Sequence, residues 1–141
     1  MSAKSNKALI RRYFKAIDTG DVRVLEKYVS PSFVDHSPSP GNSSDLEGLR
    51  QSFLNSQTAL PGYHTVDDLI AEGDKVVARV TGYGTHEGTY RGIPATGRKV
   101  RMSGIVIWRI RRGKIVERWS ASHTEDLMRQ IRSPRRSGKQ V

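Results

Sequence analysis

Cysteine is absent from the 141-residue chain, and aromatic residues make up only 7% of it. Without cysteine, the chain cannot form a disulfide scaffold, a zinc–thiolate site, an iron–sulfur cluster or a cysteine nucleophile. No apolar run approaches the ~18 residues that a membrane span needs. The first residues also lack the apolar block of a secretory signal peptide. We therefore expect a cytoplasmic protein that does not enter a membrane.

The length predicts a single domain, since one domain takes up roughly 100–200 residues. We place that domain at residues 1–131 and treat residues 132–141 as a separate basic tail. The tail has no hydrophobic periodicity, so we expect it to be disordered.

Positive charge dominates the chain, with 24 Lys and Arg against 14 Asp and Glu and a formal net charge of +10. The basic residues concentrate between Arg98 and Arg118 and again in the tail. Such clusters can neutralise phosphates, which would predict salt-dependent binding of nucleic acid. The aromatic residues are not interleaved with the basic ones, as a base-stacking surface requires. The favoured interpretation is a solvated basic face, with no nucleic-acid partner.

The first half of the chain has helical periodicity. Residues 5–18 predict an amphipathic helix whose apolar stripe consists of Leu9, Ile10, Tyr13, Phe14 and Ile17. Asp21 is suited to cap a second helix that ends at Pro31. A capping box at residues 44–47 starts a third helix, which Pro61 terminates.

The second half has the period of two that is typical of strands. We predict strands at residues 63–71, 76–83, 100–111 and 114–122, followed by a short helix at 125–131. Together the two halves predict an α+β fold.

The last two strands are joined by Arg112-Gly113, a two-residue hairpin turn. An uninterrupted register then places these pairs on one apolar face: Ile110 with Ile115, Trp108 with Glu117, Val106 with Trp119, Gly104 with Ala121, and Met102 with His123. We expect this face to pack under the helices. Its small residues should leave a pocket beside the indole ring of Trp119. The predicted lining residues are Trp119, Met102, Gly104, Val106 and Ala121.

Three polar residues are candidates for chemistry at this pocket. His123 lies at its far end, and histidine is the side chain whose protonation changes near neutral pH. The alternative interpretation is that His123 faces solvent at the end of a strand. Asp35 and His36 follow the second helix and either orient the substrate or cap their loop. His64 is expected at the surface, and His86 in a glycine-rich turn.

The opposite face of the hairpin carries an apolar stripe of Ile105, Ile107 and Val116 among arginines. An exposed stripe of this kind predicts a homodimer through the outer sheet face.

The sequence lacks the residue spacings that are typical of metal-binding and nucleotide-binding sites. No His, Asp or Glu group has a familiar metal-ligand spacing, and no Gly-Xaa-Ser-Xaa-Gly elbow is present. Gly82 and Gly84 lack the third glycine of a dinucleotide site. These residues therefore predict neither a metal site nor a dinucleotide site.

Several short segments, taken in order, resemble the SnoaL-like polyketide cyclases. They are residues 6–14, 20–21, 33–36 (Phe-Val-Asp-His), 68–76, 84–88, 92–98 and 113–119 (Gly-Lys-Ile-Val-Glu-Arg-Trp). The resemblance covers residues 5 to 131. It implies three N-terminal helices packed in the concave face of a curved, mostly antiparallel sheet. This is the cone-shaped α+β barrel of nuclear transport factor two-like proteins.

The resemblance also implies a mechanism. In these cyclases an aspartate a few residues beyond the final-strand tryptophan acts as general acid/base in an intramolecular aldol closure, without metal or cofactor. Aligned on Trp119, that position holds His123 here. We therefore predict a cyclase or isomerase for a hydrophobic carbonyl-bearing molecule such as a polyketide, with His123, Asp35 and His36 as catalytic residues. The alternatives are a non-catalytic binding module, or a hydrolase or hydroxylation partner that uses the same pocket.

Overall fold

The computed structural model of the chain describes residues 2–133. Its helices are α1 (Ala3–Ile17), a 3₁₀ turn (Val22–Val24), α2 (Leu25–Tyr28), α3 (Leu46–Ala59) and α4 (Thr124–Arg132). Its strands are β1 (Val29–Asp35), β2 (Gly62–Glu72), β3 (Lys75–Thr85), β4 (Lys99–Arg111) and β5 (Lys114–Ser122). The predicted basic tail lies almost entirely outside the described residues. No helix in the described part is long and apolar enough to cross a bilayer.

The five described strands form one sheet in the order β1-β5-β4-β3-β2. All neighbouring pairs are antiparallel except β1 and β5, which run parallel. The predicted α+β class is confirmed, with the N-terminal helices packed on a mixed sheet. The sheet is open, because β1 and β2 remain its two edges and do not pair with each other.

Helix α1 supplies the helical side of the core, as its periodicity predicts. Its apolar stripe is buried, and Tyr13 and Phe14 meet Trp108 of β4 edge-on at ring-centroid distances of 6.5 and 5.7 Å. Ser2 caps the helix through a capping box with Ser5. These aromatic contacts between α1 and β4 hold the helix over the concave face of the sheet.

The second helix is shorter than predicted, and an unpredicted strand follows it. After one turn of α2, the chain becomes extended as β1 and pairs with β5. Pro31 is tolerated there because β1 is an edge strand. Helix α3 begins as predicted, but its cap is Asp45, whose carboxylate accepts the N–H of Gly48 at 3.0 Å.

The predicted turn of the last hairpin is confirmed, but the predicted register is wrong. Arg112 and Gly113 both have positive φ, of 52° and 74°, as a type I′ turn requires. Beyond the pair Ile110–Ile115, Val116 is an extra residue in β5, so that Arg109 pairs with Glu117. Such a bulge moves every later residue of β5 to the other face of the sheet.

Candidate functional site

Two adjoining cavities lie between the helices and the concave face of the sheet. The outer cavity, of about 340 Å³, extends from the end of α1 to α3 and α4. The inner cavity, of about 150 Å³, lies under α1 against β3, β4 and β5. Both are lined by Phe53, His64, Gly82 and Met102. A ligand that fills both cavities must therefore pass these four residues.

The boundary between the cavities carries a histidine–carboxylate pair. Nδ1 of His64 lies 2.6 Å from Oδ1 of Asp18, and the backbone N–H of His64 donates to Oδ2 of the same carboxylate at 2.9 Å. Asp18 is the C-terminal cap of α1, and His64 lies near the start of β2. The two contacts fix both the position and the rotation of the imidazole ring.

This arrangement selects the tautomer of His64. A carboxylate only accepts hydrogen bonds, so Nδ1 carries the proton and the neutral ring presents an acceptor at Nε2. Nε2 makes no hydrogen bond within residues 2–133. It lies 3.7 Å from the point that a Cβ on Gly82 would occupy, so the glycine leaves open space beside it. The pair therefore has the form of an oriented general base facing a cavity wall.

Arg118 supplies the polar side of the inner cavity. It lies opposite Trp108 of β4 and beside Asp35 of β1. Its Nη1 donates to both oxygens of Asp35 and to the carbonyl oxygen of Ser37, each at 3.2 Å. Asp35 is only 4% exposed and also accepts the N–H of Ser37 at 2.9 Å. The buried carboxylate is thus paired and hydrogen-bonded, as burial of a charge requires.

Tyr13 lines the inner cavity next to this ion pair. Burial raises the pKa of the phenol well above its ordinary value; Arg118 lowers it less, and Asp35 adds to the rise. The hydroxyl therefore keeps its proton at any physiological pH. In this cavity Tyr13 is a hydrogen-bond donor and not a base.

The predicted pocket residues separate into two groups. Met102, Gly104 and Val106 line the inner cavity, on the face where the sequence places them. Trp119 and Ala121 pair with Ile107 and Ile105 and lie on the outer face, so their predicted place in the pocket is wrong. The bulge at Val116 is the cause.

The predicted placement of His123 in an apolar hollow beside Trp119 is also wrong. The chain leaves β5 after Ser122, and His123 becomes the N-cap of α4, exposed and in neither cavity. Its backbone N–H donates to the carbonyl oxygen of Ser103 at 2.9 Å. The residue serves as the corner between the sheet and the last helix.

His36 belongs to a polar network on the outer face of the sheet. Its ring stacks on Trp119 at 4.8 Å, and its Nε2 lies 2.8 Å from Oε2 of Glu117. Glu117 also accepts from Nε of Arg109 at 2.7 Å, and Arg109 binds Asp74. Hydrogen bonds from His36 and then Arg109 hold the pKa of Glu117 below its ordinary value. Of the two neighbours Asp35 and His36, only Asp35 is buried toward the concave side.

Three residues of the site lie where the sequence does not predict a site. The sequence predicts His64 at the surface, gives Asp18 no role at the end of the first helix, and places Arg118 on the outer face through an uninterrupted register. Spacing gives no signal for the first two, because 46 positions separate them. For Arg118, the charge complementary to Asp35 is the only available clue.

His86 lies in the loop after β3, as its glycine-rich context predicts, and it is fully buried there. Its Nδ1 accepts the backbone N–H of Thr96 at 3.2 Å. Among residues 2–133, no three His, Asp or Glu side chains are grouped closely enough to hold a metal ion.

Comparison with known proteins identifies relatives of the whole described domain. The family model of the SnoaL-like polyketide cyclases matches residues 7–131. TsrD from Streptomyces laurentii is 30% identical over 95% of this chain and 99% of its own, with a TM-score of 0.84. IdmH from Streptomyces antibioticus, named as a candidate polyketide cyclase, is 30% identical over 89% and 97%, with a TM-score of 0.79.

A third relative carries a different name. AclR from Streptomyces galilaeus, named as a candidate hydroxylase, is 26% identical over 99% of this chain and 88% of its own, with a TM-score of 0.84. No curated protein sequence matches the chain.

Proposed function

The chain belongs to the SnoaL-like polyketide cyclase family, and from that membership we propose that it catalyses cofactor-independent cyclisation or isomerisation of a hydrophobic, carbonyl-bearing small molecule such as a polyketide. The observation that carries this proposal is the Asp18–His64 pair at the boundary of the two cavities. The pair supplies an oriented base beside an apolar space, which proton abstraction next to a carbonyl requires.

The proposed step uses His64 twice. Nε2 takes a proton from a carbon adjacent to a carbonyl group, and Asp18 stabilises the resulting imidazolium. The enolate carbon attacks a second carbonyl carbon of the same molecule, which forms the new carbon–carbon bond. The alkoxide then receives the proton from Nε2, so the base returns to its starting state and no redox partner is needed.

The acid/base role moves from His123 to His64 in this proposal, because His123 lies outside both cavities. Asp35 acts through Arg118, and His36 has no part in the reaction. Met102, Gly104 and Val106 remain proposed substrate-binding walls.

Exchange of hydrogen for deuterium tests the proposal without knowledge of the natural substrate. Benzoylacetone in deuterated buffer carries an acidic carbon between two carbonyl groups and fits an apolar site. We expect the protein to accelerate exchange at that carbon, and His64→Gln to reduce the acceleration by about 10²-fold or more. His123→Ala is the matched control and should exchange at the wild-type rate. Equal rates for His64→Gln and wild type would overturn the proposal.

A non-catalytic role in the same cavity is the second candidate. It is supported by His123, which stands where the family has its catalytic aspartate but lies outside both cavities. In that case benzoylacetone binds, and no variant changes its rate of exchange.

Homodimerisation through the outer sheet face also stays a proposal. Ile105 of β4 is 50% exposed there, and Ile70 is 65% exposed on the same face of the edge strand β2, two strands away. Exposed apolar side chains on one sheet face favour self-association. The cytoplasmic location is likewise a prediction from the sequence alone.

A further inference from the structure

Arg118 has hydrogen-bonding capacity that the protein itself does not use. An arginine side chain carries five N–H donors, and only Nη1 of this one is bound, to Asp35 and Ser37. Within residues 2–133, Nε and Nη2 donate no hydrogen bond. The residue lines the inner cavity. These donors are available to a ligand in that cavity.

The charge of the guanidinium is already balanced. Asp35 is 4% exposed and holds Nη1 through both of its oxygens at 3.2 Å. The pair therefore offers N–H donors with no net charge. A carboxylate ligand would add a second anion beside the buried one, which like-charge repulsion disfavours. A neutral oxygen acceptor meets no such penalty.

Tyr13 adds one more donor on the same side of the cavity. Because burial keeps its hydroxyl protonated, it can donate to an oxygen near Arg118. The hydroxyl makes no hydrogen bond to protein among the described residues. Two separate donors suit a ligand with two neighbouring acceptor oxygens better than a ligand with one.

The size of the inner cavity limits the part of the ligand that enters it. Its volume is about 150 Å³, and an apolar cavity of that size accepts a single benzene ring. The outer cavity, of about 340 Å³, can hold the rest of a larger molecule. His64 lies where the two cavities meet.

We propose that Arg118, held by Asp35, binds a neutral pair of oxygen acceptors, such as a β-dicarbonyl group or its enol, at the end of the substrate that enters the inner cavity. The proposal deepens the proposed function and rests on it for the identity of the site. It makes Arg118 and Tyr13 recognition residues, while the proton is moved by His64.

Calorimetric titration with three probes of similar size tests this recognition. Benzoylacetone has two carbonyl oxygens, butyrophenone has one, and benzoylpropionate has one together with a carboxylate. For the full wild-type chain at neutral pH, we expect benzoylacetone to bind about 10-fold more tightly than either other probe, as one charge-assisted hydrogen bond provides. Equal affinities, or tightest binding of benzoylpropionate, would overturn the proposal.

Two substitutions at the ion pair sharpen the test. Arg118→Lys keeps a cation beside Asp35 but lacks the separate Nε and Nη2 donors, because its three N–H groups share the one nitrogen that pairs with the carboxylate. Benzoylacetone should therefore bind no better than butyrophenone. Asp35→Asn removes the balancing charge, so benzoylpropionate should bind about 10-fold more tightly than to wild type. If Arg118→Lys retains the wild-type preference for benzoylacetone over butyrophenone, Arg118 does not bind the second carbonyl oxygen. Should a variant not fold, the three probes on the wild-type protein still decide.

His64→Gln separates this inference from the acid/base proposal. We expect that variant to lose deuterium exchange and to keep its preference for benzoylacetone. Exchange that depends on His64, without any preference among the probes, would contradict the role of Arg118 alone.

Discussion

Asp18 and His64 are 46 positions apart in the chain, yet Oδ1 of the first and Nδ1 of the second lie 2.6 Å from each other. The contact forms because the last turn of α1 meets the first residues of β2. Phe14, one turn earlier in α1, packs against the same imidazole at a centroid distance of 5.4 Å. The helix thus supplies both the partner of the ring and one wall beside it.

Asp18→Asn should lower the rate of benzoylacetone exchange by about 10²-fold, comparable to loss of the base itself. The amide can donate to Nδ1, which would shift the proton of His64 to Nε2 and remove the acceptor. Asp21→Asn is the matched control, because Asp21 binds only Arg23 and its own turn. Deuterium incorporation followed by NMR measures both variants. A wild-type rate in Asp18→Asn would show that the pair does not set the tautomer.

Trp119→Phe should leave ligand binding unchanged. Trp119 lies on the outer face against His36, whereas Trp108 lines the inner cavity and is 2% exposed. We expect benzoylacetone to quench the fluorescence of the Trp119→Phe variant with the wild-type dissociation constant. Loss of that quenching would contradict the observed register of β5.

Gly62→Ala should destabilise the protein by about 3 kcal/mol, within the range for overpacking. A Cβ on Gly62 would overlap the carbonyl oxygen of Tyr83, so the start of β2 would separate from β3. Gly82→Ala is the control, because its nearest neighbour would be Cδ2 of His64 at 3.5 Å, an ordinary contact. Urea unfolding measures the difference. Similar midpoints for the two variants would refute the close approach.

Glu117→Gln should weaken the acid sensitivity of the fold. His36 and Arg109 lower the pKa of Glu117 in the folded state, so its contribution is complete above the ordinary glutamate value of 4.5. It is lost as pH falls through the lower, folded value. The melting temperature of Glu117→Gln should therefore lie below that of wild type at neutral pH, and the difference should shrink only when the pH falls below the ordinary glutamate value.

Glu125→Gln is the control for that measurement. Glu125 is exposed on α4 and makes no ion pair or hydrogen bond within the described residues. Its melting temperature should follow wild type at every pH. A constant difference between Glu117→Gln and wild type would mean that the network is not sensitive to protonation.

Ile105→Glu should convert a homodimer into a monomer if the outer sheet face is the interface. A charge there would be buried without a partner in the dimer, which is strongly unfavourable. Leu54→Glu on α3 is the control, since Leu54 is also partly exposed, at 39%, but lies on the helical side. Sedimentation velocity of the three proteins gives the result. A wild-type monomer, or a dimer that survives Ile105→Glu, would exclude this interface.

Periodicity predicts most of the elements because each helix and strand shows its buried face within a few residues. The apolar stripe of α1 and the alternation in β3 and β4 are of this local kind, and they are confirmed. The short strand β1 is not, because Pro31 and three polar residues make it look like a loop. β1 is a strand because its backbone pairs with β5, and its own sequence contains no local signal for that pairing.

Two features of the site are set only by the tertiary structure: the register of β5 and the contact between Asp18 and His64. One extra residue, Val116, exchanges the faces of β5, so that Arg118 replaces Trp119 on the concave side. A bulge has no signature in the residue types. Hydrophobic patterning alone therefore places Trp119 on the concave face instead of Arg118, which is the wrong register. The pairing of Asp18 with His64 is equally invisible, since neither residue breaks a local pattern.

The sequence by itself determined the α+β class, the hairpin turn at Arg112-Gly113 and the membership of a cyclase-like family. These follow from local periodicity, turn geometry and ordered motifs, all of which act over short stretches of chain. Only the tertiary structure decided which polar side chains reach the cavities. That choice depends on strand register and on the docking of α1, where contacts between distant residues outweigh any local preference.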